Sequence, residues 1–208
     1  MYKTYWKRLI DVLLSLLGIV FLLPVLLVIS LWVKLDSKGP IFFRQKRVGK
    51  GKKYFTIYKF RSMKAETPKD VPTHKFLTPD KYTTRVGRIL RKTSLDELPQ
   101  LWNILKGDMS VIGPRPALWN QDDLVAERDK YGANDIRPGL TGWAQINGRD
   151  ELVIPIKAKL DGEYVQRISF TFDVRCFVGT IISVIRRKGI LEGGNGTSSQ
   201  KTEEDENN

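Results

Sequence analysis

The sequence predicts a mostly helical α+β fold: an N-terminal membrane helix, one short β-hairpin, and amphipathic helices around a small domain. Three observations predict it. Residues 12–33 form a 22-residue apolar run. Residues 41–47 and 54–60 are rich in aromatic and β-branched side chains and flank Gly49-Lys50-Gly51, a turn signal. From Arg85 onward, apolar residues recur at helical spacing between glycine- and proline-rich breaks. The 208 residues suffice for one domain with its own core, and no internal repeat is present.

The apolar run comes first. At ~1.5 Å rise per residue it reaches roughly 33 Å, enough to cross a bilayer core. It is too long for a signal-peptide core and lacks an obvious cleavage site, so it is expected to stay in the mature protein. Lys3, Lys7 and Arg8 precede it, and Lys34, Lys38, Arg44, Lys46, Arg47, Lys50, Lys52 and Lys53 follow. Basic flanks favour the cytoplasmic side, so a single crossing would strand one of them. Two readings stand: a segment that enters and returns, broken at Pro24, or an ordinary kinked span. Asp11, at the edge of the run, is expected at the interface or paired with Arg8 or Lys7.

Gly39-Pro40 closes this segment, and the strand–turn–strand unit follows, ending in Lys59-Phe60-Arg61-Ser62-Met63. Residues 64–83 are polar and proline-containing and read as a surface loop. Residues 85–92 read as a helix with Val86, Ile89 and Leu90 on one face and Arg85, Arg88 and Arg91 on the other. Leu98, Leu101, Trp102 and Leu105 continue at helical spacing as core or membrane-facing positions, until Gly107-Asp108. Short helices are expected within residues 119–131 and 157–167. Residues 173–187 read as an amphipathic helix with basic residues at its end, able to pack on the domain or lie on an anionic membrane. Residues 193–208 are expected to be disordered.

Charge and composition narrow the chemistry. The formal net charge is +12, and the five acids and one lysine from Glu192 onward leave about +16 on residues 1–191. The partner is therefore anionic: a membrane surface, phosphorylated substrates or nucleic acid. Cys176 is the only cysteine and His74 the only histidine. Disulfides, His/Cys zinc sites and serine–histidine catalysis are excluded as a working basis, and a metal would be held by carboxylates, as Mg²⁺ is.

The candidate site is Arg91-Lys92-Thr93-Ser94-Leu95-Asp96-Glu97-Leu98-Pro99-Gln100. Adjacent carboxylates among cations suit phosphate chemistry, one attacking phosphorus or holding a metal while the cations offset charge. Ser94-x-x-Glu97 also predicts a capping box, with Asp96 in the first helical turn and Pro99 close behind. Arg115, fixed between Pro114 and Pro116, suits bidentate phosphate recognition. Lys59, Arg61 and Arg91 are further candidate phosphate contacts. Arg137 belongs to a second loop of the same texture, Arg137-Pro138-Gly139-Leu140-Thr141-Gly142-Trp143, whose glycines would let a ligand approach the backbone.

Taken together over residues 5–190, these motifs resemble the bacterial sugar transferases, the monotopic phosphoglycosyl transferases acting on polyprenol phosphate, in their small single-domain form. They are Lys7-Arg8 with Asp11, Gly39-Pro40 with Phe43-Arg44-Gln45, Lys59-Phe60-Arg61-Ser62-Met63, the dyad stretch, Gly113-Pro114-Arg115-Pro116 and Arg137-Pro138-Gly139-Leu140-Thr141-Gly142. The resemblance implies a re-entrant helix (residues 1–36) with both ends cytoplasmic, a catalytic domain (37–191) at the cytoplasmic face of the bacterial inner membrane, and an acidic tail (192–208). It implies that Asp96 attacks the sugar-bearing phosphate of a UDP-sugar, that UMP leaves, and that undecaprenyl phosphate then takes the phosphosugar. Glu97 would help hold Mg²⁺ and Arg115 would contact phosphate. The product would feed downstream glycosyl transferases building a surface glycan such as a capsule or exopolysaccharide. Many members carry Ser before the helix-breaking proline, where this chain has Leu23. The competing readings are a non-catalytic basic module on anionic lipid or nucleic acid, and a glycosyl transferase releasing UDP. Nucleic acid is not the expected partner, since basic charge alone does not explain an acidic pair within it.

Overall fold

The computed structural model describes residues 1–67, 79–148 and 152–185. His74, the centre of the 64–83 loop, the basic cluster Arg186, Arg187 and Lys188, and the acidic tail lie outside the described residues. A π-helical turn, Tyr2–Trp6, leads into α1, Lys7–Asp36. The hairpin follows as β1, Phe42–Val48, and β2, Tyr54–Phe60. Next come α2 (Pro79–Tyr82), α3 (Arg85–Thr93) and α4 (Gln100–Lys106). The remainder is β3 (Ser110–Ile112), α5 (Asp122–Asp129), β4 (Gly139–Thr141), α6 (Trp143–Ile146), α7 (Ile154–Arg167) and α8 (Phe170–Ile185).

α1 is long and apolar enough to cross a membrane. It runs unbroken through Pro24, so the break expected there is absent as a gap in the helix, although proline removes the hydrogen bond the Val20 carbonyl would accept. One stripe faces the domain, with Asp11, Ser15, Ile29 and Val33 buried, while Leu13, Leu17, Phe21, Leu27, Val28 and Leu31 are exposed. Both ends are tied to the same domain. At the start, Arg8 donates to the carbonyls of Ile104 and Leu105 at the end of α4. Asp11 does not pair with Arg8 or Lys7: its carboxylate accepts from Ser110 Oγ at 2.7 Å and the Val111 amide at 2.9 Å. Burial makes this arrangement favourable, because two directed donors satisfy the carboxylate while Lys7 is engaged by Asp173. At the other end, Asp36 accepts from the Val86 amide at 3.2 Å.

The hairpin is antiparallel with Phe42 opposite Phe60 and Val48 opposite Tyr54, one residue later on β1 than its composition indicated. Ile57 faces the main core with Ile104, Met109, Ile112, Tyr164 and Phe172. A smaller core joins Ile29 and Val33 of α1 to Phe60, Val86 and Leu90. Ile89, expected on the apolar face of α3, is exposed instead. β3 and β4 form a parallel pair that composition did not signal, with Ser110 opposite Gly139 and Ile112 opposite Thr141. Asp173 accepts from Tyr2 at 2.6 Å, Lys7 at 2.8 Å and Tyr164 at 2.7 Å, fastening α8 beside the start of α1. The rest of α8 leaves Phe177, Ile181 and Ile185 exposed as an apolar face.

Candidate active site

The dyad sits where α3 ends and α4 begins. Thr84 caps the start of α3, its hydroxyl accepting from the Gly87 amide at 2.9 Å. Ser94 ends α3 in the left-handed conformation, φ 57°. It therefore cannot act as the capping serine the spacing predicted, and its side chain makes no cap hydrogen bond. Left-handed backbone at a helix C-terminus reverses the chain, here into a 3₁₀ turn, Leu95–Glu97, that carries the dyad. Pro99 then opens α4, as its missing N–H allows.

Glu97 reaches outward rather than back toward its own helix. Its Oε1 accepts from Lys59 Nζ at 2.7 Å and from Arg115 at 2.9 Å, and its side chain is 13% exposed. Burial alone would raise its pKa, but Arg115 and Lys59 outweigh burial and hold it well below the usual carboxylate range. Asp96, 8% exposed, differs. Burial pushes its carboxyl up to about 6 and the Glu97 charge adds to this, while Lys59, Arg91 and Arg115 offset part of the rise. Among the described residues, nothing donates a hydrogen bond to the Asp96 carboxylate. The pair thus divides into a fixed anion and an unencumbered carboxylate beside three cations.

Lys59, Arg91 and Arg115 therefore gather at the dyad, and Arg61 and Arg137 do not. Arg61 is buried at the far end of α1, donating to the carbonyls of Val33, Ser37 and Lys38 at 3.1, 2.7 and 2.6 Å. A helix leaves its last carbonyls without partners, and a buried guanidinium satisfies several at once. Period-2 alternation would put Lys59 and Arg61 on one face, but β2 ends at Phe60, so Arg61 leaves the strand and follows the chain toward α1. Arg137 donates from Nε to the Gly107 carbonyl at 2.9 Å.

The two glycine-rich loops also behave differently from expectation. Ser110, Gly113 and Gly139 donate backbone hydrogen bonds to Pro138, Thr141 and Pro114. A Cβ at Gly139 or Gly142 would collide with the Gly113 backbone. The close approach that glycine permits is between the loops themselves.

Residues 2–187 match the family described as bacterial sugar transferase. The chain belongs to that family. It is 41% identical over 201 residues to the uncharacterized sugar transferase EpsL of Bacillus subtilis (strain 168), covering 94% of this chain and 95% of that protein. It is 38% identical over 194 residues to the UDP-glucose:undecaprenyl-phosphate glucose-1-phosphate transferase of Xanthomonas campestris pv. campestris, covering 90% of this chain and 40% of that one. It is 38% identical over 187 residues to the UDP-N-acetylgalactosamine-undecaprenyl-phosphate N-acetylgalactosaminephosphotransferase of Aeromonas hydrophila, covering 86% of this chain and 43% of that one. The chain thus spans less than half the length of the latter two.

One residue of this sugar transferase that sequence reasoning missed, Asn103, supports the site, and Gln100 ends the candidate stretch. Asn103 is fully buried, accepting from the Tyr58 amide at 3.1 Å and donating to the Thr56 carbonyl at 2.8 Å. It locks α4 to β2 and so sets Lys59 against Glu97. Gln100, 2% exposed, has a buried Nε2 with no partner among the described residues. The signal for Asn103 was available: an amide inside an otherwise apolar helical period.

The donor set suits Mg²⁺ and not a metal cage. Among the described residues no group of three or more His, Cys, Asp or Glu stands ready to hold an ion. Mg²⁺ instead takes one or two carboxylates and completes its shell with water and substrate phosphates. The dyad offers that, since both cations engage Glu97 through Oε1 and leave Oε2 available.

Proposed function

We propose that the chain transfers a phosphosugar from a UDP-sugar to undecaprenyl phosphate, at the cytoplasmic face of the bacterial inner membrane, as the first membrane step of a surface glycan. The observation that carries this is the division within the dyad: Glu97 held ionised by Lys59 and Arg115, and Asp96 buried beside them with its carboxylate accepting no hydrogen bond from the described residues. The names of the relatives support the substrate classes. Ties from both ends of α1 to one domain support both ends lying on the same side of the membrane.

Asp96 supplies one carboxylate oxygen to the phosphorus that bears the sugar. The bond from that phosphorus to the oxygen bridging it to UMP breaks, and UMP leaves with the electron pair. A phosphate oxygen of undecaprenyl phosphate then attacks the same phosphorus, the bond to Asp96 breaks, and the carboxylate is restored. Arg115, Lys59 and Arg91 offset the charge building at phosphorus in both steps. Glu97, with Asp96 adjacent, would hold Mg²⁺, which when bound neutralises phosphate charge. Splitting the transfer in two keeps the anionic donor and anionic acceptor from occupying one site together.

The test is nucleotide release by the purified chain given undecaprenyl phosphate and a panel of UDP-sugars, with and without Mg²⁺. The expected result is UMP, dependent on Asp96 and abolished by EDTA. Release of UDP would move the chain to sugar–oxygen bond cleavage. Absence of release with every donor, together with lipid binding unaffected by Asp96→Asn, would favour a non-catalytic module.

A further inference from the structure

A cavity of about 410 Å³ lies between α1, the hairpin and the start of α4. This is within the span of small-molecule clefts, roughly 300–1,000 Å³. Ile19 and Leu26 of the membrane helix form one wall, Tyr58 and Phe60 of β2 another, Leu101 and Trp102 of α4 the third. Arg44 is the only charged residue lining it. Its guanidinium stands 5.5 Å from the Tyr58 ring centroid, and Arg44 makes no ion pair among the described residues.

We propose that this groove holds the isoprenoid tail of the polyprenyl phosphate acceptor and hands its phosphate to the dyad. The inference rests on the proposed reaction, and it adds where the acceptor binds. Three features select this occupant. Apart from Arg44 the lining is aliphatic and aromatic, so an apolar chain gains by burial there and a nucleotide or sugar does not. The α1 wall flanks Pro24 on a helix whose opposite face is exposed and apolar, and Trp102 is 56% exposed, so a lipid can enter from the membrane without crossing water. The groove reaches the turn that carries the dyad: Leu98 and Pro99 line it immediately after Glu97. A tail lying there brings its phosphate toward the dyad turn, with Arg44 as a cation for the headgroup.

The decisive experiment uses the full chain carrying Asp96→Asn in lipid nanodiscs, with a polyprenyl phosphate bearing a diazirine in its tail. Crosslinks are expected at residues 19–26 of α1 and at Trp102, removed by excess undecaprenyl phosphate but not by dioleoyl phosphatidate. Crosslinks elsewhere, or equal displacement by phosphatidate, would overturn the assignment. In the otherwise native chain, Leu26→Trp fills the groove. It should raise the KM for undecaprenyl phosphate about tenfold more than it changes the burst of UMP formed before acceptor is added. An unchanged acceptor KM with that burst intact would equally overturn it. Crosslinking needs no turnover, so failure of the native chain to release UMP counts against the reaction, while the crosslink pattern still decides the groove.

Discussion

The Gly113–Arg115 loop and the Arg137–Gly142 loop share arginine, proline and glycine, yet the fold uses them for opposite ends. Arg115 crosses to Glu97 at 2.9 Å and remains partly exposed, able to meet a phosphate. Arg137 turns inward to the Gly107 carbonyl, where α4 ends in a left-handed glycine. The second loop braces the first through the β3–β4 pair and the Gly113–Gly139 contact. The difference teaches that a constrained arginine is a recognition element where the fold aims its guanidinium at the reacting carboxylates, and a brace where it is aimed at a helix-end carbonyl.

The largest effect concerns the centre both loops surround. Asp96→Asn keeps the shape but removes the nucleophile, and UMP release should fall by more than about 10³-fold, read by a coupled nucleotide assay. Arg115→Ala should lower turnover by about 10²-fold, the usual cost of losing one donor to developing charge, with thermal unfolding nearly unchanged. Gly139→Ala attacks the brace: the clash with Gly113 should destabilise by about 1–3 kcal/mol in denaturant unfolding and reduce turnover by displacing Arg115. Arg137→Ala should cost about 1.5–3 kcal/mol of stability from the lost charged hydrogen bond while leaving turnover per folded molecule within a few-fold. Comparable turnover losses in Arg115→Ala and Arg137→Ala would break the distinction between working loop and brace.

A control separates global loosening from local effects. Burial pushes the Cys176 thiol up to about 11, with Asp173 adding to the rise, so it should resist iodoacetamide at pH 8 in the native chain. Faster alkylation in Gly139→Ala than in Arg115→Ala would report that the brace also holds α8, whose Thr180 meets Thr141 at 2.7 Å.

Much of this was legible in the chain. The membrane helix, the hairpin and the end of α4 follow from local patterns: an apolar run, two β-rich stretches around a glycine turn, and Gly107 as a stop. The dyad was legible as carboxylates set among cations. The capping box was a misreading because the same Ser-x-x-Glu spacing is open to a serine that ends the preceding helix, and φ at Ser94 decides between them. Asp11 was assigned to neighbouring cations because Ser110 and Val111, about a hundred residues away, cannot be seen from its surroundings in sequence.

The sequence by itself determined which elements exist and which residue types could do phosphate chemistry, because periodicity, turn chemistry and helix stops act over a few residues. Only the tertiary structure decided that Lys59 and Arg115, 38 and 18 residues from Glu97, meet it, while Arg61 caps α1 and Arg137 braces α4. The reason is that an ion pair or a buried hydrogen bond depends on distances of a few ångströms between elements brought together by packing, and no local pattern encodes which cation arrives first.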